Sequence, residues 1–268
     1  MMFSPKTADE VTEFFRTRSQ RVHITGASEE SIGVDTLSLA QLNSVLLYEP
    51  EEMIISVGAG ISLFQLSNSL SERGQWIPTL APNENIAFTL GAAIAEDHYQ
   101  PRAKSLGMLR TTILGGTFGT TDGVLFKSGS RVVKSVAGYD IHRAFCGSRG
   151  RFGAIIAVTL KVQPLPEVFF RFTASNNSKD AIREFNPTIL EEFDGVLLVE
   201  LAGYREDIHN EKEELLTIVN SIREISDAHW ESTIKKIQQS KQRQNISNEA
   251  ELLLSKVKAV FDPKQLLV

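Results

Sequence analysis

The sequence has a single cysteine, Cys146, among 268 residues. One thiol forms no internal disulfide, and there is no Cys-x-x-Cys or Cys/His cluster to hold zinc or an iron-sulfur centre, so the chain fits a reducing compartment. Basic residues are also short. The 28 Lys and Arg stand against 33 Asp and Glu, a formal net charge of −5, which leaves no broad electrostatic footprint for nucleic acid. No apolar run approaches the roughly 20 residues needed to span a bilayer, and the opening segment MMFSPKTADEVTEFF lacks a basic region followed by an apolar core. The expectation is a cytoplasmic protein without a nucleic-acid partner or direct membrane insertion, peripheral to the inner membrane at most through partners. The five histidines (His23, His98, His142, His209 and His229) are scattered without metal-ligand spacing, so no metal site is expected.

What is present is enough apolar residue, 42%, to bury one large or two modest cores. Residues 7–19 predict a helix capped by Thr7, with Val11, Phe14 and Phe15 on one face. RVHIT (21–25) alternates like a strand and runs into GASEESIG. Two β-rich runs within 44–60 flank a proline turn, and Ser62 caps a predicted helix that stops at Gly74. Residues 111–129 predict a hairpin about TTDG, YDIHRAFCG a short helix, and 152–166 a buried strand closed by prolines. Beyond that seam FFRFTAS, DAIREFNPTILEEF, DGVLLVELAGY and IHNEKEELLTIVNSIREI read as strand, helix, strand, helix, a small α+β module. Residues 230–260 read as polar helix, and Trp76, Trp230, Phe126, Phe152 and Cys146 as packing residues.

Glycine is unevenly spread. Most glycines precede residue 154 and fall in TGAS (25–28), TLGAA (89–93), AGYD (137–140) and GSRGRFG (147–153), each next to a β-prone run. Bare backbone lets N–H groups approach an anion closely, as in phosphate-binding nests, and several converging loops of this kind suit a diphosphate. Lys134 and Arg102 are cations available to offset its charge.

The order TLGAAIAEDHYQPRAKSLGMLRTTILGGTF followed by VVKSVAGYDIHRAFCGSRGRFGAIIAVTLKVQPLP resembles the FAD-binding domain of the vanillyl-alcohol-oxidase (PCMH) type, and within that group the small flavin-binding subunit of bacterial glycolate oxidase. The resemblance covers residues 20–166 and resumes over 257–268. It implies an α+β, two-subdomain PCMH-type FAD-binding fold over 1–166 and a reduced α+β cap over 167–268 whose C-terminal tail returns to the FAD domain. It places the first pyrophosphate loop at Thr25, Gly26, Ala27 and Ser28, and the second at Pro82, Thr89, Leu90, Gly91 and Ala92. It further implies cofactor roles for Arg102, Gly107, Lys134, Ala137, Gly138, Tyr139 and Asp140, and brings Gly153 and Ile155 toward the adenosine.

The implied cofactor is non-covalent FAD. The implied role is an accessory subunit of a glycolate- or lactate-oxidising complex, relaying electrons between a catalytic flavin subunit and an iron-sulfur subunit. No catalytic residue is assigned. Departures from the family pattern leave FAD retention open: Ala27 and Ala92 replace glycines, and Glu96 and Asp97 stand where the family has alanine and glycine. A carboxylate close to a diphosphate is repelled by about 1 kcal/mol per pair even in water. Two other readings therefore stay open, a structural subunit that has lost FAD and a self-sufficient FAD-dependent 2-hydroxy-acid oxidoreductase.

Overall fold

The chain begins with a two-residue strand, β1 (Met2–Phe3), after which the Thr7 hydroxyl accepts from Glu10 N at 3.2 Å and starts α1 (Ala8–Thr17). A computed structural model describes residues 1–26, 33–79, 88–129, 140–241 and 248–268; the expected site residues Ala27, Ser28, Pro82, Lys134, Ala137, Gly138 and Tyr139 lie outside the described residues. β2 (Val22–Thr25) and β3 (Asp35–Ser38) pair in parallel and complete a sheet of order β1-β3-β2. The predicted face of α1 is buried: Val11, Phe14 and Phe15 pack with Val22, Leu37 and Leu39.

The next segment turns at Pro50–Glu52 between β4 (Val45–Glu49) and β5 (Ile54–Gly58). Ser62 and Gln65 form a reciprocal capping box at the start of α2 (Leu63–Ser71), and β6 (Gln75–Trp76) follows. After α3 (Leu90–Ala95), α4 (Ala103–Leu106) and α5 (Leu109–Thr112), the hairpin of β7 (Ile113–Gly119) and β8 (Leu125–Gly129) forms as the turn residues predict. The expected helix at 139–147 is a single 3-10 turn, Ile141–Phe145. β9 (Ala154–Lys161) is the middle strand of the antiparallel sheet β4-β5-β9-β7-β8. It serves two cores, with Ala154 and Ile156 against α1 and Ile155, Val158 and Leu160 against α2 and α3; a register shift against β7 between Ile155 and Ala157 puts Val158 and Leu160 on the face of Ile155.

β10 (Gln163–Pro164) pairs back to β6, and β11 (Val168–Ser175) opens the C-terminal sheet. The expected helix DAIREFNPTILEEF is helical only at α6 (Lys179–Arg183); Pro187 cannot continue it, and Ile189–Phe193 is a strand, β12. It pairs in a hairpin with β13 (Val196–Gly203) across a turn at Asp194 and Gly195, both at positive φ. α7 (Arg205–Ile218) and β14 (Arg223–Glu224) complete the order β12-β13-β11-β14. α7 covers one face of this sheet, and α8 (Asp227–Lys241) covers the other through Trp230, Ile234 and Ile237. α9 (Asn248–Phe261) brings Phe261 against Phe126, Phe145 and Phe152, and the last residues return to β2, where Leu266 O accepts from Val22 N at 2.7 Å.

Candidate functional site

The two N-terminal sheets meet at a cleft of about 540 Å³. Its walls come from the end of β2 (Thr25, Gly26), the start of α3 (Thr89, Gly91, Ala92) and the GSRGRFG segment (Ser148, Arg149, Gly150, Gly153), with Ile155 at the start of β9. Segments more than 120 positions apart in sequence, Thr25 and Gly153, thus share one cavity. Two glycines hold it open by necessity. A Cβ on Gly26 would overlap the Thr89 hydroxyl, and Gly153, at φ +124°, lies against the Gly119 carbonyl with no room for a side chain.

Local hydrogen bonding decides which groups can meet a ligand. The first three amides of α3 already have partners: Leu90 N donates to Ile61 O at 2.9 Å, Gly91 N to Ala59 O at 2.7 Å and Ala92 N to the Thr89 hydroxyl at 3.2 Å. Leu90 itself is fully buried in the core. By contrast the Ser148 hydroxyl, also buried, has no hydrogen-bond partner among the described residues. It sits on a turn docked on the end of α3, where Gly147 N donates to Ile94 O and Arg149 N to Ala95 O.

A second cavity of about 490 Å³ shares Glu96 and Arg149 with the first and reaches the C-terminal module at Lys241. Both cavities are within the roughly 300–1,000 Å³ typical of small-molecule sites. His98 and Tyr99 line the second one, and the Tyr99 hydroxyl donates to Glu191 at 2.6 Å. Lys104 binds the same carboxylate at 3.0 Å, and Lys241 binds its other oxygen. Burial alone would raise the Glu191 carboxyl, but the hydrogen bonds from Lys241, Tyr99 and Lys104 hold it below the usual range. Burial and the Glu191 contact push the Tyr99 phenol well above its ordinary value. Partial burial raises the Glu96 carboxyl, with Arg149 opposing, and lowers the His98 imidazole.

Of the expected site residues, Thr25, Gly26, Thr89, Gly91, Ala92, Gly153 and Ile155 line the first cavity. Four others do not: Leu90 is buried in the core, and three point elsewhere. Arg102 is buried and makes a bidentate pair with Glu200 at 2.7 and 2.8 Å, stacked 4.7 Å from the Trp76 ring. Gly107 closes α4 at φ +90°, and the exposed Asp140 pairs with Arg143 at 3.3 Å. Of the two carboxylates expected to crowd a phosphate, Glu96 borders both cavities, while Asp97 lines only the second and lies 4.0 Å from Arg110. Sequence reading missed Ser148 and Arg149; the Gly147-x-x-Gly150 spacing around them was the available signal, since both glycines adopt positive φ.

The lining suits a dinucleotide. Its backbone is bare at Gly26 and Gly153, a buried hydroxyl lacks a partner at Ser148, and a second cavity adjoins the first. Comparison with known proteins agrees. Residues 3–129 match the FAD binding domain family. The chain is 28% identical over 176 residues to glycolate oxidase subunit GlcE of Escherichia coli (strain K12), covering 63% of this chain and 50% of that protein. It is 29% identical over 147 residues to D-lactate dehydrogenase of Anaerostipes hadrus (55% and 30%), and 29% identical over 176 residues to mitochondrial D-2-hydroxyglutarate dehydrogenase of Bos taurus (62% and 32%). The chain thus spans half or less of the length of these relatives. Its fold superposes on an alkyldihydroxyacetonephosphate synthase with a TM-score of 0.73 at 13% identity, covering 99% of this chain and 75% of that one. The match to the FAD binding domain family thus falls on the N-terminal half of the chain, and the fold is similar to the PCMH-type FAD-binding fold.

Proposed function

We propose that this chain is an FAD-binding subunit of a complex that oxidises a 2-hydroxy acid, with glycolate and lactate as the first substrates to test. In this reading residues 1–166 form the FAD-binding domain, and 167–268 a reduced cap whose C-terminal tail returns to it. The observation that carries the proposal is the first cavity, where the end of β2, the start of α3 and the Gly147–Gly153 turn converge. Two of the three relatives above are named for a lactate or hydroxyglutarate dehydrogenase and one for a glycolate oxidase subunit, which supports the substrate class.

Gly26, Thr89, Ala92, Ser148 and Gly153 would hold the adenosine and diphosphate, with the Ser148 hydroxyl free to donate and Arg149 supplying positive charge at the boundary. Bound FAD would supply the two-electron acceptor for oxidation of a hydroxy acid to a keto acid. Lys104, Lys241 and Tyr99 line the second cavity and are tied to Glu191, which fixes their positions along its wall. Cys146 is buried, and burial pushes its thiol up to about 11, which keeps it out of redox or attachment chemistry. Electrons leaving the cofactor need an acceptor on a partner, such as an iron-sulfur subunit, and a catalytic flavin subunit would take the substrate.

The test is an absorbance spectrum after incubation with excess FAD and gel filtration, followed by anaerobic addition of glycolate or lactate. Retained yellow protein that bleaches only when a partner subunit is present supports the proposal. Bleaching by the isolated chain means a self-sufficient oxidoreductase. A second reading, a structural subunit without FAD, is favoured by Glu96 at the cavity boundary and by the partnered amides of α3, and colourless protein would establish it.

A further inference from the structure

His98 sits where the chain leaves α3. Its amide donates to Ala93 O at 3.0 Å, immediately after Asp97 takes a left-handed conformation at φ +47°. Its ring lies 5.0 Å from the Phe88 ring and forms part of the wall of the second cavity. Both ring nitrogens, Nδ1 and Nε2, are enclosed and have no hydrogen-bond partner among the described residues. A buried polar atom without a partner costs about 1–3 kcal/mol, and an imidazole with two such atoms next to an open cavity is placed to meet a ligand. Burial lowers its pKa, so near neutral pH the ring offers one donor and one acceptor.

The charges facing this cavity narrow the choice of ligand. Lys104 and Lys241 are both bound to Glu191, Asp97 lies beside Arg110, and Glu96 faces Arg149. Positive charge is therefore largely balanced, which favours a neutral ring edge with alternating donor and acceptor atoms over a free carboxylate. Resting on the FAD reading above, we infer that His98 is the residue through which the second cavity holds the pyrimidine edge of the flavin ring, one imidazole nitrogen donating and the other accepting. The ADP portion then occupies the first cavity, and Glu96 and Arg149 flank the connection between the two.

The experiment follows the imidazole nitrogens of the full-length protein by NMR, with His98 assigned through H98Q, and adds FAD, ADP or glycolate separately. FAD is expected to shift both His98 nitrogen signals, while ADP displaces FAD yet leaves His98 unmoved and glycolate has no effect. In parallel, H98F is expected to weaken FAD about tenfold, one lost hydrogen bond or more, with ADP affinity unchanged and H98Q close to wild type. FAD that binds equally well to wild type and H98F, or that leaves the His98 signals in place, overturns the inference while FAD binding stands. A shift produced equally by ADP or by glycolate overturns it too. Failure of the wild-type protein to bind FAD at all overturns both this inference and the function on which it rests.

Discussion

Glu96 puts a carboxylate at the boundary of the two cavities, on the path that a dinucleotide spanning both would take. Its charged form repels a diphosphate, and partial burial, opposed by Arg149, already raises its pKa. The sign follows directly: a raised pKa means the neutral form gains population as pH falls, so FAD should bind more tightly at pH 5 than at pH 8. E96Q removes the charge at every pH. It should strengthen FAD binding at pH 8 by about fivefold to tenfold, the equivalent of about 1 kcal/mol, and flatten the pH dependence, as read by flavin fluorescence titration. An unchanged pH profile in E96Q would place the repulsion elsewhere. The neighbouring substitution is milder than its sequence suggests. Asp97 keeps the left-handed backbone expected of a glycine position, a conformation that aspartate tolerates better than most residues, and its side chain lies toward Arg110.

At the scale of the element, α3 and the Gly147–Gly153 turn shape the first cavity together. The Thr89 hydroxyl caps α3 through Ala92 N and also fills the space beside Gly26. T89A should cost about 1 kcal/mol of stability through the lost cap, whereas T89S should keep most of it, as measured by urea unfolding. G153A is expected to be worse, by more than about 1 kcal/mol, because its φ of +124° and the adjacent Gly119 carbonyl both oppose a side chain. These elements show what was legible in the sequence. α1, α2 and the β7–β8 hairpin are marked by caps, helical spacing and turn residues, signals that act within a few positions and survive folding unchanged. β12 was not legible as a strand, because ILEEF carries an apolar residue pattern that suits either period and only its pairing with β13 decides. The first cavity was half legible: its glycines were visible, but the use of the α3 amides by Ile61, Ala59 and Thr89 depends on contacts that no local pattern reports.

Across the whole molecule, the C-terminal module is fastened to the N-terminal sheets by buried charge. Glu200 is fully buried between Arg102 and Arg171, and it also accepts from the Thr188 hydroxyl at 2.9 Å, while Arg171 reaches on to Asp227. Burial would raise the Glu200 carboxyl, but the hydrogen bonds and charge of Arg102 and Arg171 hold it below the usual range. A depressed folded-state pKa stabilises the protein above the unfolded value of about 4.3 and is lost as pH falls through the folded value; Glu191 acts the same way. His98 and His142 are lowered chiefly by burial, so on acidification below about 6.5 the unfolded state takes up their protons first and stability falls further. These four groups share one sign, the histidines acting as pH falls below about 6.5 and the glutamates only below about 4.3, while the raised carboxyls of Glu96 and Glu211 oppose them; the unfolding midpoint should be lower at pH 3 than at pH 7, with the steeper loss below about 4.3. E200A leaves Arg102 buried beside Trp76 without its carboxylate, a change expected to cost about 3–5 kcal/mol. Removing both charges with R102M and E200L together should cost clearly less than E200A alone, since no unpaired ion remains. If the double variant is as unstable as E200A, the pair is not what holds the module in place, and the edge-on contact of Trp76 with Phe169 becomes the element to test.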